Sequence, residues 1–346
     1  MFSIGPHTLD SRVLLAPMAG ITDLPFREIC HDYGAGLVTS EMITSDTSLW
    51  SSRKTKTRLA TSNTTTLFPY AIQIAGTEPE QLAEAAVACE KMGADIVDIN
   101  MGCPAKKVCK KLAGSALMKD LNLVQKILSK TVSSVKIPVT LKTRTGWDTK
   151  NKNGIEVAKI AEAEGIKAIT IHGRTRECRF KGSAEYDSIA KIVSAVNIPV
   201  IANGDIDSPQ KAADVLKKTN ADGVMLGRSV LGRPWLISQT NEFLKEQNSS
   251  KLISFDLQHQ LSTVIRHLKG IHAFYGELQG VRIARKHIGW YVSHLDPLLA
   301  ESSNVKTSFT TRGFAKEFNS VTSPLIQLNM VYDLFKYLLH KEDKAA

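Results

Sequence analysis

Seven pieces of this sequence carry side chains that could do chemistry. Asp98-Ile99-Asn100-Met101-Gly102-Cys103-Pro104 presents one thiol on a polar, glycine-broken turn. Pro104 has no N–H and a fixed φ, so a strand cannot run on through it. Gly102 lets the backbone turn sharply or come close to a ligand. A small buried thiol is the common fate of a cysteine. The flanking Asn, Gly and Pro argue instead for a thiol displayed at a strand's mouth, where it can serve as a general acid. Lys142 and Arg144 follow another apolar run, and His172 follows a third. Asn203-Gly204-Asp205 and Gly227-Arg228 offer glycine N–H groups and a bidentate cation, which is the chemistry of a phosphate site. Gln73 supplies a donor and an acceptor together, and Ala16-Pro17-Met18 supplies an apolar shelf with backbone amides.

Repeating elements have to position these groups. Short apolar runs recur at Val13–Leu15, Leu37–Thr39, Tyr70–Ile74, Asp95–Ile99, Pro138–Leu141, Ala168–Ile171, Pro199–Ala202 and Gly223–Leu226. Most are rich in Val, Ile and Leu without polar alternation, as parallel strands covered on both faces are. The segments between them have helical spacing. Pro79–Met92 repeats Leu82, Ala85, Ala86 and Cys89 and stops at Gly93, Ile155–Glu164 stops at Gly165, and Ser208-Pro209 opens Lys211–Lys217 as a capped start. Strand then helix, eight times, predicts an α/β fold, a (β/α)8 TIM barrel over residues 1–245. Every group named above then falls at a strand's C-terminal end, the face on which barrel enzymes work. A lone Lys is usually solvated and a lone His is more often structural. With Ser40-Glu41-Met42 after the second run, eight strand ends agree, and that is a different matter.

Beyond Trp235 the strand runs vanish. Asn248-Ser249-Ser250 reads as a linker. Phe255–Phe274, Val281–Leu295, Thr310–Asn319 and Pro324–Leu339 predict a separate all-helical domain over residues 251–346, with six of the nine histidines. A Thr-rich cluster at Thr61–Thr66 is the one low-complexity tract. No stretch approaches the ~20 apolar residues of a membrane span. Met1-Phe2-Ser3-Ile4-Gly5-Pro6 has neither a basic nor an apolar leader region. The five cysteines, Cys30, Cys89, Cys103, Cys109 and Cys178, are odd in number and lack Cys-x-x-Cys spacing. A disulfide framework and a metal site are therefore not expected, and a reducing cytoplasm is. A monomer is the expected state.

A planar cofactor with a phosphate tail suits this set. Lys142 would put positive charge where a reduced ring is anionic, Gln73 would meet a heterocycle's edge, and the last two strand ends would take the phosphate. Flavin mononucleotide (FMN) meets all of these demands. No Gly-x-Gly-x-x-Gly follows a strand, so no Rossmann dinucleotide site is indicated. The net charge of +10 is spread along the chain: residues 1–240 hold 31 basic and 24 acidic side chains, and residues 241–346 hold 13 and 10. Such a protein attracts polyanions, nucleic acid first among them. Lys106, Lys107, Lys110 and Lys111 follow Cys103, and Arg282, Arg285 and Lys286 share one helix face. Three classes stay open on residues alone: a flavoenzyme acting on RNA, a small-molecule FMN oxidoreductase, and an RNA-binding protein without catalysis.

Asn100-Met101-Gly102-Cys103-Pro104-Ala105-Lys106-Lys107-Val108, with Leu112-Ala113-Gly114-Ser115-Ala116 behind it, resembles the signature of the tRNA-dihydrouridine synthases, most of all the bacterial B-type. Leu15–Asp23, Ile171–Arg176, Pro199–Ile206, Gly227-Arg228 and Arg282–His287 agree, so the likeness covers nearly the whole chain. The resemblance implies an oxidoreductase that binds FMN, takes electrons from NADPH and reduces the C5–C6 bond of a D-loop uridine in tRNA. It implies that Ala16, Pro17, Met18, Gln73, Lys142, His172, Asn203, Gly204, Asp205, Gly227 and Arg228 bind FMN and that Cys103 donates the proton. Asn100 and Arg144 would then line the uridine side, and Lys106, Lys107, Arg282, Arg285 and Lys286 would hold tRNA. Cys109 has no place in that signature.

Overall fold

The computed structural model describes residues 1–61, 67–246, 253–295 and 311–345. Residues 62–66 of the Thr-rich cluster and the Asn248-Ser249-Ser250 linker lie outside the described residues. The chain divides into two compact units, Met1–Ser229 with Ile237–Ser250 and Val230–Leu236 with Lys251–Ala346.

In the first unit the strands are β1 (Phe2–Ile4), β2 (His7–Leu9), β3 (Val13–Leu15), β4 (Ile43–Thr44), β5 (Ala71–Ala75), β6 (Ile96–Asn100), β7 (Val139–Arg144), β8 (Ile169–His172), β9 (Val200–Asn203) and β10 (Gly223–Leu226). The last eight form one parallel sheet in the order β3-β10-β9-β8-β7-β6-β5-β4. Single parallel bridges from Val38 to Leu15 and from Thr39 to Ala71 join its two edges, so the sheet curls into a barrel. Strands β6, β9 and β10 are buried along their whole length, because helices cover the outside and other strands the inside. The crossover helices start and stop as their sequence asks. Ser208 accepts the Lys211 N–H at the head of Pro209–Thr219, and Gly93 takes φ +85 after Pro79–Lys91.

Two features depart from the sequence reading. Leu37–Thr39, expected as the second strand, makes only the two bridges, and the paired stretch lies further on at Ile43–Thr44. Between them the chain leaves the ladder, because Arg58 donates to the Met42 carbonyl and pairs with the buried Glu41 carboxylate, which also accepts the Gly20 N–H. The second is the antiparallel hairpin of β1 and β2, turning at Gly5 with φ +58. Ile4 and Leu9, each 1% exposed, pack onto Leu14, Ala71, Ile96 and Ala168 and so stopper the barrel where its strands begin. A Cβ on Gly223 would meet the Phe2 ring at 3.0 Å, which is how closely the hairpin fits.

The second unit is helical among its described residues: Leu257–Tyr275, Glu277–His294, Thr311–Ser320 and Pro324–Ala345. Asp256 caps the first by accepting the His259 N–H, and Gly276 at φ +76 separates it from the second. Leu268, Ile271, Ala284, Ile288, Phe318 and Leu334 form its apolar interior. Among the described residues no helix is long and apolar enough to cross a membrane.

The stopper is part of the core and not an ornament. Ile4→Ala is expected to cost about 2–5 kcal/mol, as truncation of a fully buried side chain does. Urea unfolding followed by circular dichroism measures it, and a loss below about 1 kcal/mol would show the hairpin to be loosely attached.

Candidate active site

The C-terminal ends of the strands surround a cavity of about 670 Å³. Ala16, Pro17, Met18, Gln73, Lys142, His172, Asn203, Gly204, Asp205, Gly227 and Arg228 line it, as do Asn100, Cys103 and Arg144. The groups chosen by their place after an apolar run therefore converge on one space. Lys106 and Lys107 do not line it; they stand exposed on the short helix Lys106–Cys109 that follows Cys103. Arg282, Arg285 and Lys286 belong to the helical unit, where Arg282 is exposed and Arg285 donates to the Val321 carbonyl.

The loop after β6 is held first by Asn100. The Asn100 carbonyl oxygen accepts the backbone N–H of Gly102 at 3.3 Å and of Cys103 at 3.0 Å. Behind the loop, Ser115 donates its hydroxyl to the Cys103 carbonyl at 2.9 Å, and the Cys109 thiol approaches the same oxygen at 3.6 Å. Gly114 sits at φ +62, where a Cβ would lie 2.8 Å from that oxygen. The Cys103 thiol is half-buried. Burial raises its pKa and the nearby Cys109 raises it further, against a hydrogen bond from Ala105 and the charge of Arg144. The net shift is upward, so the sulfur keeps its proton at neutral pH.

The charges facing the cavity are set by burial. Lys142 donates to the Asn203 carbonyl oxygen at 3.1 Å, and Asn203 in turn donates to the Met225 carbonyl at 2.7 Å. Burial brings the Lys142 ammonium down to about 8; Asp98 pulls it back up and Arg144 pushes it lower. His172 is pushed down to about 2, by burial first and then by Arg144, Lys142, Arg174 and Arg228. Its ring is therefore neutral and offers one donor and one acceptor. Arg144 is 2% exposed and spends Nε on the Gly102 carbonyl at 2.6 Å and Nη1 on the carbonyls of Thr175 and Arg179. It ties the loop after β6 to the loop after β8.

Two expectations need correction. The Met18 N–H already donates to the Thr22 hydroxyl at 2.9 Å, so this turn offers an apolar shelf and no Met18 amide. The Asp205 carboxylate is a fork-to-fork partner of Arg174, at 2.8 and 2.6 Å, and also accepts the Ala184 N–H. Only its backbone, at φ +51, is free to help an anion. Burial alone would raise the Asp205 pKa, but the Arg174 hydrogen bonds, the Ala184 N–H and the Arg228 charge together hold it below the usual carboxylate range.

Sequence reasoning passed over three residues. Asp98 is buried and accepts from Gln73 Nε2 at 2.7 Å and from the Thr140 hydroxyl at 2.7 Å. An acid inside an apolar strand was a legible sign of a buried polar partner. Arg174 lies two residues after His172, but its pairing with Asp205 depends on the distance between two loops. Phe180 is 53% exposed at the cavity's edge, with the Arg228 guanidinium 4.9 Å and the Arg144 guanidinium 5.7 Å from its ring. It lies in a basic, aperiodic loop that gives no sequence signal.

The sequence model of a family described as "Dihydrouridine synthase (Dus)" matches residues 14–329. The chain belongs to the dihydrouridine synthase family. It is 52% identical over 292 residues to a protein named tRNA-dihydrouridine synthase B from Pseudomonas syringae pv. tomato, covering 84% of this chain and 86% of that one. It is 47% identical over 341 residues to the protein of the same name from Pasteurella multocida, covering 99% and 98%. Among solved structures, histamine dehydrogenase from Rhizobium sp. 4-9 superposes with a TM-score of 0.52 at 13% identity. That match covers 78% of this chain and 50% of the other, and it supports the barrel fold alone. A Dus chain thus has its strand-end groups gathered in one cavity, with the motif cysteine on its wall.

The Arg174–Asp205 pair gives a pH-dependent prediction. Asp205→Asn leaves Arg174, 3% exposed, without its carboxylate. The expected loss at pH 7 is about 1–3 kcal/mol, below the ~3–5 of a fully buried pair because Asp205 is part-exposed. Since the folded pKa is depressed, this contribution is complete above the unfolded value of ~3.9 and is lost as pH falls through the folded one. Thermal melts of parent and variant should therefore differ at pH 7 and draw together in acid.

Proposed function

We propose that this chain is an FMN-dependent tRNA-dihydrouridine synthase that reduces the C5–C6 bond of a D-loop uridine in cytoplasmic tRNA, with NADPH as the electron source. The observation that carries the reading is a thiol kept protonated on the wall of the same cavity as the Lys142 ammonium and the Gln73 amide. Membership of the Dus family and the shared name of the B-type relatives support the substrate.

The cavity fits the cofactor. Its volume lies within the range of ordinary cofactor sites. Gly204 is required at φ +118, where a Cβ would come 2.9 Å from the His172 ring. A Cβ on Gly227 would project toward Ala16 and Met18, into the space an aromatic system would need. Met18 and Pro17 would form the apolar shelf, and Gln73, Lys142 and His172 would face the polar edge. Gly204, Gly227 and Arg228 would meet the phosphate, with the Asp205 charge already neutralised by Arg174. When bound, FMN supplies hydride for uracil C6 and accepts hydride from NADPH.

The chain's own residues account for the rest. Negative charge builds at C5 and on the C4 carbonyl as C6 gains hydride, and Cys103 Sγ–H delivers the proton to C5. Asn100, which anchors the Cys103 loop, and Arg144 line the wall beside the thiol. The target base must leave its stack, at a cost of a few kcal/mol that a loop uridine keeps low. Lys106, Lys107, Lys110 and Lys111 beside Cys103, and Arg282, Arg285 and Lys286 on the helical unit, would hold phosphates of the tRNA body.

Two experiments test this. Cys103→Ala should bind FMN and be reduced by NADPH as the parent is, yet form dihydrouridine at least about 100-fold more slowly, the usual worth of a placed general acid. Mass spectrometry of nucleosides from treated tRNA reads it; turnover at the parent's rate would remove Cys103 from the mechanism. Changing Lys106, Lys107, Arg282 and Arg285 to Glu should weaken tRNA binding and flatten its dependence on log salt by about 0.7–0.9 for each phosphate that is no longer neutralised. An unchanged slope with an unchanged flavin spectrum would place the tRNA elsewhere.

A further inference from the structure

Asp98 is a buried acid that the mechanism does not use. It is on β6, two residues before Asn100; on the cavity wall its carboxylate hydrogen-bonds Gln73 and its charge acts on Lys142, and it makes no hydrogen bond to Cys103. Its hydrogen bonds nevertheless begin a chain that ends at the acid. Asp98 Oδ2 accepts from Gln73 Nε2 at 2.7 Å. Gln73 Oε1 accepts from Asn100 Nδ2 at 2.8 Å. Asn100 Oδ1 accepts the backbone N–H of Gly102 and Cys103.

We propose that Asp98 is a positioning residue that sets the direction of this relay and, through Gln73 and Asn100, fixes the backbone of the loop that carries Cys103. This deepens the function proposed above and rests on it for the role of the thiol.

The argument is one of polarity. Both Asp98 oxygens accept, from Gln73 and from Thr140; burial raises the Asp98 pKa, and these two hydrogen bonds and the Lys142 charge work against that rise. Each amide of Gln73 and Asn100 could be built either way round in isolation, with its NH2 and its oxygen exchanged. Asp98 removes that freedom. Its oxygen demands the NH2 end of Gln73, which turns the Gln73 oxygen toward Asn100. That oxygen demands the NH2 end of Asn100, which turns the Asn100 oxygen toward the loop. Reversal at any point would set oxygen against oxygen, or NH2 against the two loop N–H groups, inside a wall where Gln73 is 1% and Asn100 7% exposed. Thr140 donates its hydroxyl to the other carboxylate oxygen at 2.7 Å and keeps the side chain from rotating. Gln73 is itself anchored, because its backbone N–H donates to the Ser40 hydroxyl at 3.1 Å. The same amide thus belongs to the cofactor wall and to the support of the acid.

Polarity and charge make different demands, and a substitution separates them. Asp98→Asn can keep its carbonyl toward Gln73 and give its NH2 to Thr140, whose hydroxyl turns to accept; the relay survives without the charge. Asp98→Ala removes the acceptor, and Asp98→Leu does the same at similar volume should the alanine variant fail to fold.

The experiment uses the full-length FMN-loaded enzyme. Flavin content, reduction of the flavin by NADPH without tRNA, and dihydrouridine formation at saturating tRNA are measured for each variant. So is the rate at which iodoacetamide alkylates Cys103, read from the mass of its tryptic peptide. For Asp98→Ala or Asp98→Leu, dihydrouridine formation should fall roughly 10- to 100-fold, the loss that follows misplacement of a reacting group. Rates are taken per bound, NADPH-reducible flavin, since Gln73 also belongs to the cofactor wall; the KM for tRNA should stay near the parent's, and Cys103 alkylation should change several-fold. Asp98→Asn should restore both dihydrouridine formation and the parent alkylation rate. Asp98→Asn as defective as Asp98→Ala would show that the charge matters and not the polarity, and would overturn the proposal. So would parent-like turnover and alkylation in Asp98→Ala. Should the parent enzyme itself leave tRNA uridine unreduced, the function proposed above falls, and the alkylation rates still decide whether Asp98 holds the Cys103 loop.

Discussion

Polar groups taken out of water must be satisfied where they lie, and the working end of this barrel is built around that demand. Gln73, Asp98, Asn100 and Arg144 are all nearly closed to solvent. Left unpaired, each would cost about 1–3 kcal/mol, or more for the charged ones. They are paired with one another or with backbone, and the pairings determine the shape. Asn100 closes onto the N–H groups of Gly102 and Cys103, Arg144 onto the Gly102 carbonyl, and Ser115 onto the Cys103 carbonyl. A loop that on composition would be mobile is held from three sides, and the cysteine it carries has a fixed place.

Burial also sets the electrostatics. Lys142, Arg144, Arg174 and Arg228 bring four cations to one end of the barrel, and His172 stays neutral among them. Arg174 is cancelled by Asp205, and Lys142 is partly balanced by Asp98. The positive potential that remains suits an anionic cofactor and an RNA backbone alike. The thiol is in the opposite condition. Burial works against its ionisation and favours the thiol over the thiolate.

Much of this was legible in the sequence. In a parallel barrel the residue after each apolar run is at the rim, so Cys103, Lys142, His172, Asn203 and Gly227 could be placed from order alone. The signature around Cys103 added the family. Other features gave no such sign. The strand at Ile43–Thr44 is displaced because Arg58, from a later helix, takes the Glu41 carboxylate and the Met42 carbonyl. The stopper hairpin consists of strands of three residues, too short for any periodicity to show. Phe180 is placed by the carbonyls that Arg144 and Arg174 hold around it, at Arg179, Lys181 and Gly182.

The order of apolar runs and breaks determined that there would be a barrel, which residues would stand on its rim and which thiol would be offered there, because those are properties of neighbours along the chain. The tertiary structure decided what each rim residue is free to do. It gave Asp205 to Arg174, the Met18 amide to Thr22 and the Gln73 amide to Asp98. The physical reason is that a hydrogen-bonding group has a limited number of partners, and in a closed wall those partners come from strands and loops far away in sequence.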